Sequence, residues 1–524
     1  MSGLDVGGLS VTIHGTAVLT DVSFKMAPGE ILGLVGESGS GKSMTALALM
    51  GLLPRGAEVD GRAVLGKTDL LSLDERAMCR VRGREIGMIF QEPMTALNPL
   101  QTIGAQVAEA LAIHGGGARG AGELLARVGL DPDRIGPGRY PHELSGGQRQ
   151  RVAIAIAIAL SPRLLVADEP TTALDVTSQA EILDLLCDLV RDEGMGLLLI
   201  THDLAVVAGI ADRVAVMQEG RIVEAGATEA VFRTRSHPYT RALFAASSHV
   251  PKRIAAPSGV PVLTVDGVRR HYPGPRKGLL RRGAPVRAVD GVSLGVGRGE
   301  SVGLVGESGC GKSTLTRAIL GLDALDAGQV ALCGDAVMPP VPGEVRRRMQ
   351  VVFQDPFGSF DPRWRVDRLV AEPFHLTGYP EDWRDKVAHA LVAVGLKPRD
   401  MEKYIHEFSG GQRQRIAIAR AIVIRPDLVI LDEAVSALDV RVRAQILDLL
   451  ADLQGEFGLS YLFISHDLSV VRSITDRVLV MQAGRIVEAG PTERVLAAPE
   501  HPYTRRLVAA VPVIPAGWIT PQSA

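Results

Sequence analysis

The sequence predicts an α/β fold that is built twice. Short apolar runs, typical of buried strands, alternate with longer segments of helical character along both halves of the chain. A glycine-rich stretch follows one such run in each half, as GESGSGKS at Gly36–Ser43 and as GESGCGKS at Gly306–Ser313. The chain has 524 residues, which is too long for one ordinary core. We therefore expect two similar domains of about 250 residues each.

Further segments recur in the two halves at one fixed spacing. LSGGQRQR at Leu144–Arg151 returns as FSGGQRQR at Phe408–Arg415, 264 residues later. The apolar runs that end in Asp-Glu, the stretches ITHDL and ISHDL, and the segment HPYTR repeat at the same spacing. Between the halves lies SSHVPKRIAAPSGVP, which has the composition of a linker. The expected domains are residues 1–250 and 262–524, joined by a linker at 251–261.

Composition and charge exclude several classes of protein. The formal net charge is −2, so no overall electrostatic case for nucleic acid exists. The four cysteines form no CxxC pair, which argues against a zinc site or a disulfide framework and fits a reducing compartment. The N-terminus lacks the pattern of a signal peptide, and the apolar runs are far shorter than the ~18 residues that a membrane span needs. We expect a chain that does not cross a bilayer itself but can dock on a protein that does.

The glycine-rich stretches have the Gly-x-x-x-x-Gly-Lys-Ser spacing of a phosphate-binding loop, or Walker A motif. Glycines allow the backbone N–H groups to turn around phosphate oxygens, and the helix that follows adds its positive end. The lysine would reach the β- and γ-phosphates, and the serine hydroxyl would bind magnesium. One such match alone is only suggestive, but two matches, each after a strand pattern, are hard to attribute to chance. The residues expected to hold nucleotide here are Gly36, Ser38, Gly39, Gly41, Lys42, Ser43, Met44, Gly306, Ser308, Gly309, Gly311, Lys312, Ser313 and Thr314.

Polar residues end the other strand-like runs, and ligands of open α/β sheets bind beyond such strand ends. The aspartate of each Asp-Glu pair is placed to bind magnesium, and the following glutamate could polarise an attacking water. A helix cap, a structural histidine or a turn glutamine would be the simpler explanation for each residue taken singly. Recurrence in both halves favours a role near the γ-phosphate. The candidates are Asp168, Glu169, His202, Gln91, Asp432, Glu433, His466 and Gln354.

The segment LSGGQ combines paired glycines with a serine directly before a helical run, so it can present N–H groups and a hydroxyl to a phosphate. The Walker A loop, the glutamine, LSGGQ, the Walker B acids and the histidine follow one another in the same order twice. In this arrangement the chain resembles the ATP-binding cassette superfamily over nearly its whole length. The resemblance implies two tandem P-loop cassettes that bind ATP and Mg²⁺. Each cassette would have a RecA-like core, an antiparallel β subdomain and a helical subdomain.

In that superfamily the LSGGQ signature of one cassette completes the nucleotide site of the other, so the resemblance implies two composite sites. One site would consist of Lys42, Ser43, Gln91, Asp168, Glu169 and His202, closed by Ser409, Gly410, Gly411 and Gln412. The other would consist of Lys312, Ser313, Gln354, Asp432, Glu433 and His466, closed by Ser145, Gly146, Gly147 and Gln148. Magnesium would be held by Ser43, Gln91 and Asp168 in one site and by Ser313, Gln354 and Asp432 in the other. Asp175 and Asp439 match the D-loop that crosses the interface in the superfamily. Because neither glutamate is replaced, both sites are expected to hydrolyse ATP.

Two stretches depart from the superfamily pattern. The aromatic residue that contacts adenine in the family is Tyr272 in the second half, whereas the first half has Ile13 and His14 at that place. The adenine contact of the first half therefore depends on whether the histidine stacks instead. DEAVSALD places Ala434 and Val435 where most cassettes have Pro-Thr, and little loss is expected because the acidic residues are unchanged.

Three features resemble the oligopeptide, dipeptide and nickel importer group within that superfamily. They are the glutamine segments QEPMTALNP and QDPFGSFDP, the two HPYT motifs, and the basic opening HYPGPRKGLLRRGAPVRAVDGVS of the second half. The basic insert 276–287 is a solvated loop or contacts anionic lipid headgroups. An iron–sulfur cluster, which some members carry, is excluded because no cysteine follows Cys187 in the first half or Cys333 in the second.

The resemblance implies the ATPase subunit of a bacterial importer for di- or oligopeptides. Its partners would be two membrane-spanning permease subunits and an extracytoplasmic solute-binding protein. One copy of the chain would serve each transporter, as a peripheral protein on the cytoplasmic face of the inner membrane. Nickel, glutathione or another small solute is the alternative cargo. A twin-cassette protein acting on ribosomes or DNA is disfavoured by the short linker, by ALD in both halves and by the lack of cysteine pairs.

Overall fold

The chain folds into two units. The computed structural model describes residues 3–91, 96–116, 119–172, 174–253, 259–274, 283–436 and 438–518. Unit 1 comprises Met1–Leu174, Ser178–Ser248 and Pro512–Ala524, and unit 2 comprises Asp175–Thr177 and His249–Val511. Most of the basic insert predicted at 276–287 lies outside the described residues.

Unit 1 contains a four-stranded and a six-stranded sheet within its described residues. Its strands are β1 (Leu4–Ile13), β2 (Thr16–Met26), β3 (Ile31–Val35), β4 (Ala57–Leu65), β5 (Thr68–Asp69), β6 (Ile86–Ile89), β7 (Leu164–Asp168), β8 (Gly196–Thr201), β9 (Arg213–Gln218) and β10 (Arg221–Ala227). The order β2-β1-β4-β5 forms an antiparallel sheet. The order β10-β9-β3-β8-β7-β6 forms a parallel sheet, except that β10 runs antiparallel to β9.

Unit 2 repeats this arrangement in its described residues. Its strands are β11 (Pro261–Tyr272), β12 (Val286–Gly297), β13 (Ser301–Val305), β14 (Ala327–Leu332), β15 (Asp335–Ala336), β16 (Met349–Val352), β17 (Leu428–Asp432), β18 (Ser460–Ser465), β19 (Arg477–Gln482) and β20 (Arg485–Pro491). The orders are β12-β11-β14-β15 and β16-β17-β18-β13-β19-β20. The duplicated α/β architecture predicted from the sequence is therefore confirmed.

Helices cover one face of each six-stranded sheet, and the four-stranded sheet covers the other face together with the helix that follows the glycine-rich loop. Further helices form a separate helical part in each unit. In unit 1 the helices are α1 (Lys42–Leu49), α2 (Glu75–Val81), α3 (Ile103–Ile113), α4 (Ala121–Arg127), α5 (Gly146–Ala157), α6 (Val176–Glu193), α7 (Leu204–Ile210), α8 (Thr228–Thr234) and α9 (Pro238–Ser247). In unit 2 they are α10 (Lys312–Ile319), α11 (Gly343–Arg347), α12 (Val366–Val370), α13 (Trp383–Ala393), α14 (Gly410–Ile422), α15 (Val440–Phe457), α16 (Leu468–Ile474), α17 (Thr492–Ala497) and α18 (Pro502–Ala509). Short 3₁₀ turns lie at Leu70–Ser72, Pro141–Glu143, Glu372–Leu376, Pro398–Glu402, Ile405–Glu407 and Ala516–Trp518.

The central strands of the six-stranded sheets read as continuous apolar runs because both of their faces are covered, one by helices and the other by the four-stranded sheet with a helix. All residues of β3, β7 and β8 are buried. These three strands are neighbours in the order β3-β8-β7, so their carboxyl ends meet at one edge of the sheet. The phosphate-binding loop, the Asp-Glu pair and the histidine of unit 1 are therefore brought to the same edge. Strands β13, β18 and β17 do the same in unit 2.

The helical part of unit 1 lies between β6 and β7 and consists of α3, α4 and α5. Its apolar positions, such as Val107, Leu124 and Val152, are fully buried in the same hydrophobic core that covers one face of the six-stranded sheet. This shared core fixes the start of α5, which carries the signature, relative to the strands. None of the described helices is long and apolar enough to span a membrane.

The last described residues of the chain belong to unit 1. Ile514 and Trp518 pack against the core of this unit, where the Trp518 ring meets the Phe232 ring edge-on with centroids 6.0 Å apart. The Arg233 guanidinium donates a hydrogen bond to the Gly517 carbonyl at 2.6 Å. An aromatic contact and a polar contact thus fasten this tail to α8.

Candidate functional site

The phosphate-binding loop of unit 1 connects β3 to α1 and has a shape that depends on its glycines. Gly41 caps α1 with φ of 103°, a left-handed conformation that favours glycine. At Gly36 a Cβ atom would collide with the backbone carbonyl of Met217, so only glycine fits. The Lys42 side chain is buried, and its ammonium donates to the carbonyl oxygens of Gly36 and Glu37 at 2.8 Å each. These bonds keep the lysine inside the loop, at the place where a phosphate would bind.

The loop of unit 2 has the same construction. The buried Lys312 ammonium donates to the carbonyl oxygens of Gly306 and Glu307 at 2.7 and 2.9 Å. Gly311 caps α10 with φ of 113°. The one chemical difference inside the loop is Cys310, which takes the place of Ser40, and burial raises the pKa of its thiol. Both predicted loops therefore have the geometry expected for phosphate binding.

The Walker B aspartate of unit 1 lies against the loop serine. Asp168 is the last residue of β7, and Ser43 donates its hydroxyl hydrogen to an oxygen of this carboxylate at 3.1 Å. Burial raises the pKa of Asp168, and the adjacent Glu169 charge also raises it, although the Ser43 bond lowers it. Burial likewise raises the pKa of Asp432, helped by the Glu433 charge. A nearby cation would relieve the desolvation of both carboxylates.

These oxygens fit a magnesium ion of the kind that is held largely by nucleotide. Mg²⁺ is usually bound by one or two protein oxygens, by water and by phosphate oxygens of the substrate, without an all-protein cage. The described residues contain no group of three or more His, Cys, Asp or Glu side chains able to hold a metal by themselves. A serine hydroxyl beside one buried aspartate is the donor set that this kind of site requires.

Glu169 is held by three other side chains of unit 1. It has a left-handed φ of 47° directly after β7, which turns its side chain off the strand. One carboxylate oxygen lies 3.2 Å from Nδ1 of His202, and the other accepts bonds from the Gln91 amide and the Thr172 hydroxyl at 2.9 Å each. Burial alone would raise its pKa, but the His202 and Thr172 hydrogen bonds and the positive charge of Lys42 outweigh burial and lower the pKa to about 2. Glu169 is therefore ionised at neutral pH.

The equivalent Glu433 has fewer partners. Its φ is 51°, and one carboxylate oxygen lies 3.2 Å from Nδ1 of His466. Ser436, which follows at the position of Thr172, donates to the main-chain carbonyl of Glu433 and not to its carboxylate. Burial opposes ionisation of Glu433, but the His466 bond outweighs it, so the pKa is still lowered. Gln354 is exposed after β16, and among the described contacts none joins it to Glu433.

The structure therefore brings together most of the predicted residues within each unit. Lysine, serine, aspartate, glutamate and histidine meet at the strand ends in both units, and the glutamine joins them in unit 1. Sequence reasoning missed Thr172, although its place three residues after Glu169 in the DEPTTALD stretch was visible. The roles of these residues in binding and hydrolysis remain predictions.

Each signature begins a helix with a capping box. Ser145 accepts a hydrogen bond from the N–H of Gln148 at 3.3 Å, and the Gln148 side chain accepts one from the N–H of Ser145 at 3.0 Å. Ser409 and Gln412 form the same pair at 3.4 and 3.0 Å. Because the serine oxygen serves as an acceptor, its hydroxyl hydrogen remains able to donate to an anion. The exposed helix N-terminus adds a partial positive charge at the same point.

A cavity of about 460 Å³ adjoins the signature of unit 1. Its lining includes Ser145, Gly147 and Gln148 together with the side chains of Arg134 and Arg139. The lining also contains the acidic residues Asp131 and Glu181, so the charges beside the signature are mixed.

The two positions predicted to contact adenine differ as the sequence indicates. Tyr272 ends β11, donates its hydroxyl hydrogen to Asp323 at 3.2 Å, and has the Arg270 guanidinium over its ring at 4.9 Å from the centroid. His14 is exposed in a turn with φ of 47°. The substituted pair Ala434 and Val435 is buried in the core of unit 2, where both residues pack with other apolar side chains.

The arrangement can hydrolyse a phosphoanhydride. A lysine and loop N–H groups would neutralise the phosphate oxygens, and an ionised glutamate oriented by a histidine could accept a proton from water. Two such assemblies occur in one chain, one in each unit.

Comparison with protein families agrees with this chemistry. The ABC transporter family model matches residues 19–172 and 289–436. The model of the oligopeptide/dipeptide transporter C-terminal region matches residues 223–260 and 487–523. Each cassette is thus followed by one copy of that C-terminal region.

Curated relatives match nearly the whole chain. It is 49% identical over 529 residues to the peptidoglycan transport ATP-binding protein YejF of Agrobacterium fabrum, covering 97% of this chain and 96% of the relative. It is 46% identical over 558 residues to the glutathione import ATP-binding protein GsiA of Salmonella typhimurium, covering 97% and 89%. A solved structure of cbiO1 from Clostridium perfringens, part of the ABC transporter complex cbiONQ, covers 46% of this chain and 92% of its own, with 28% identity and a TM-score of 0.41. From the family models and these curated relatives, the chain belongs to the ABC transporter family, as an ATP-hydrolysing subunit with two cassettes and two C-terminal regions of the oligopeptide/dipeptide type.

Proposed function

We propose that the chain energises the uptake of di- and oligopeptides by a bacterial importer. The observation that carries this proposal is the double match to the oligopeptide/dipeptide transporter C-terminal region, one copy after each cassette. Residues 1–250 would form the first cassette and residues 262–524 the second, joined by the linker 251–261. Hydrolysis in the two cassettes would supply the work of transport.

Within each cassette the named side chains would divide the work on ATP. Lys42 and the loop N–H groups would hold the β- and γ-phosphates. Glu169, ionised and oriented by His202 and Gln91, would accept a proton from the attacking water. Mg²⁺, held by Ser43, Gln91 and Asp168 together with phosphate oxygens, would neutralise charge that develops on the phosphates. Lys312, Ser313, Gln354, Asp432, Glu433 and His466 would do the same in the second cassette.

The signature of each cassette would close the ATP site of the other, with Asp175 and Asp439 in the D-loops at the interface. The resemblance to the superfamily and the hydroxyl hydrogens of Ser145 and Ser409, which can donate to a phosphate, support this composite arrangement. Opening and closing of the two sites would couple to transport through a closed state that ATP stabilises.

Disulfide crosslinking tests the composite arrangement. In a background in which Cys310 is replaced by the serine found in the first loop, we pair Ser145→Cys with Ser308→Cys, and separately Ser409→Cys with Ser38→Cys. Each pair should crosslink with ATP present and hydrolysis blocked. The matched control pairs Ser145→Cys with Ser38→Cys, which lie in the same cassette, and should not crosslink. Crosslinking of the control pair, without crosslinking of the other two, would contradict the composite sites.

The partners would be two membrane-spanning permease subunits and an extracytoplasmic solute-binding protein. Since both ATPase halves are in one chain, one copy would serve each transporter, peripherally on the cytoplasmic face of the inner membrane. Co-purification with membranes and permease subunits at one copy per complex is the expected result. Co-purification with ribosomes or DNA would favour the alternative class.

Glutathione is the second candidate cargo, because several curated relatives at 46% identity are glutathione import proteins. Uptake of labelled dipeptides, oligopeptides, peptidoglycan peptides and glutathione should be compared in strains with and without the chain. We expect the strain without the chain to lose uptake of the labelled dipeptides and oligopeptides. Loss confined to glutathione would replace the proposed cargo and leave the ATPase role intact.

A further inference from the structure

We propose that the tyrosine of each HPYT motif is a positioning residue for the phosphate-binding loop of its own cassette. The family comparison places HPYT inside the transporter C-terminal region without giving it a role in the ATP site. The structure connects the two through one hydrogen bond in each unit. The proposal uses the ATP-binding role of the loops and does not depend on which solute is transported.

The contact is the same in both units. The N–H of Glu37, the second residue of the loop, donates to the Tyr239 hydroxyl oxygen at 3.0 Å. In unit 2 the N–H of Glu307 donates to the Tyr503 hydroxyl oxygen at 2.9 Å. The tyrosines are 6% and 2% exposed, so each bond is shielded from water. The same hydrogen bond forms in two units that differ in much of their sequence, which indicates that it is a regular feature of this cassette.

The two residues before the tyrosine fix the helical turn that carries it. His237 caps α9 by accepting a bond from the N–H of Tyr239 on Nδ1 at 3.2 Å. Pro238 occupies the first helical position, where a missing N–H costs nothing. Thr240, the next residue, is fully buried. The motif therefore fixes the first turn of α9 in the orientation that directs the tyrosine to the loop.

The same turn is also tied to the sheet. A carboxylate on β10, Glu224, accepts bonds from the N–H groups of Ser236 and His237 at 2.8 and 3.1 Å. In unit 2 the carboxylate of Glu488 on β20 accepts the equivalent bonds from Glu500 and His501 at 2.8 and 3.0 Å. The tyrosine is thus held by the antiparallel edge of the six-stranded sheet, independently of the helix that follows the loop.

This contact matters because it holds a different group of the loop from those that the lysine holds. The Lys42 ammonium donates to the carbonyl oxygens of Gly36 and Glu37. The Tyr239 hydroxyl accepts from the N–H of Glu37, which the lysine cannot bind because both groups are donors. The tyrosine would therefore add a second tether that keeps the loop in its binding shape, so that less ordering is left to be done when ATP binds.

The test removes only the hydroxyl groups. Tyr239→Phe is made in a Lys312→Ala background and Tyr503→Phe in a Lys42→Ala background, so that one site at a time binds nucleotide. Binding of Mg-ATP is measured at equilibrium with a fluorescent analogue. Loss of one buried hydrogen bond should raise the Kd at the affected site about 3- to 10-fold. In the chain with both lysines, the Tyr239→Phe, Tyr503→Phe double variant should raise KM while kcat at saturating ATP changes less than about 2-fold.

Two control variants remove a buried hydroxyl elsewhere. Thr228→Val in unit 1 deletes a hydroxyl that bonds to the Ala211 carbonyl, and Tyr461→Phe in unit 2 deletes one that bonds to the Leu450 carbonyl. They should lower thermal stability to a similar degree without changing the Kd. A Kd for either tyrosine variant that stays within the change seen for its control, or a loss confined to kcat, would overturn the proposal for that cassette. A larger rise in the Kd for Mg-ATP than in the matched control, seen in both cassettes, supports the proposal.

Discussion

At the scale of single residues, the two glutamates after the Walker B aspartates carry the clearest chemical expectation. Glu169 has a carboxylate bonded by three side chains, whereas among the described contacts Glu433 has the histidine alone. The difference comes from Gln91 and Thr172, which both reach the Glu169 carboxylate. In unit 2, Ser436 bonds to the main chain, and no described contact joins Gln354 to Glu433. The two units therefore have the same acids but differ in the number of side chains that hold the glutamate.

Replacing both glutamates by glutamine should abolish turnover without abolishing binding. A positioned general base contributes typically 10²–10⁴-fold to rate, so ATP turnover of Glu169→Gln, Glu433→Gln should fall at least about 100-fold. Each single variant should lose at least about half of the activity, and the Kd for Mg-ATP should change little. The exposed Glu58→Gln serves as the control. Full activity in either single variant, measured by phosphate release, would contradict two competent sites.

The stability that Glu169 contributes should depend on pH in one direction. Its folded pKa of about 2 lies below its ordinary value of 4.5, because the His202 bond, the Thr172 bond and Lys42 outweigh burial. The contribution is therefore fully present above pH ~4.5 and is lost as the pH falls toward 2. Urea unfolding should show that Glu169→Gln destabilises the chain more at pH 7 than at pH 4. A larger effect at pH 4 would show that the carboxylate is not the stabilised form.

At the scale of elements, the serine that begins α5 has two separable functions. It caps the helix through its oxygen, and it can donate its hydrogen to a phosphate. Ser145→Ala should cost about 1 kcal/mol of stability and also lower ATP turnover. Ser145→Asp should restore the cap but not the turnover, because its negative charge repels phosphate. Recovery of turnover with aspartate would show that capping alone explains the serine.

Local elements of the site were predictable, whereas contacts between distant segments were not. The phosphate-binding loops, the strand-end acids and the capping serines are encoded within a few residues, because glycine spacing and helix capping are local requirements. Thr172 could have been suspected from its spacing after Glu169. The bond from Glu37 to Tyr239 spans 202 positions, and no periodicity reports a hydroxyl that arrives from so far along the chain. Both glutamines are exposed, and Gln91 bonds to Glu169 whereas no described contact joins Gln354 to Glu433, a difference that depends on loop shape and not on sequence pattern.

At the scale of the whole molecule, the chain keeps two complete cassettes and adds a tail to the first unit. Trp518 and Ile514 cover part of the core beside α8, and the bond from Arg233 to Gly517 holds the tail from outside. The sequence assigns residues 262–524 to the second domain, and these bounds stay a prediction. The described part of the tail packs on unit 1 through the Trp518 ring, which meets the Phe232 ring.

Removing the tail's aromatic ring should weaken unit 1. Trp518 is partly buried, so Trp518→Ala should lower the free energy of unfolding by about 1–3 kcal/mol, less than for a fully buried tryptophan. Val513→Ala, at a side chain that is 71% exposed, is the matched control from the same tail. Equal urea midpoints for the two variants would show that the tail adds no stability.

The tail also gives the molecule an optical reporter. The chain has three tryptophans, and Trp364 and Trp383 lie in unit 2, which leaves Trp518 as the sole indole of unit 1. With the other two replaced by phenylalanine, fluorescence emission would come from this one ring, and detachment from Phe232 into water would shift its spectrum to the red. The emission of Trp518 could then report, during turnover, whether the tail stays bound to α8.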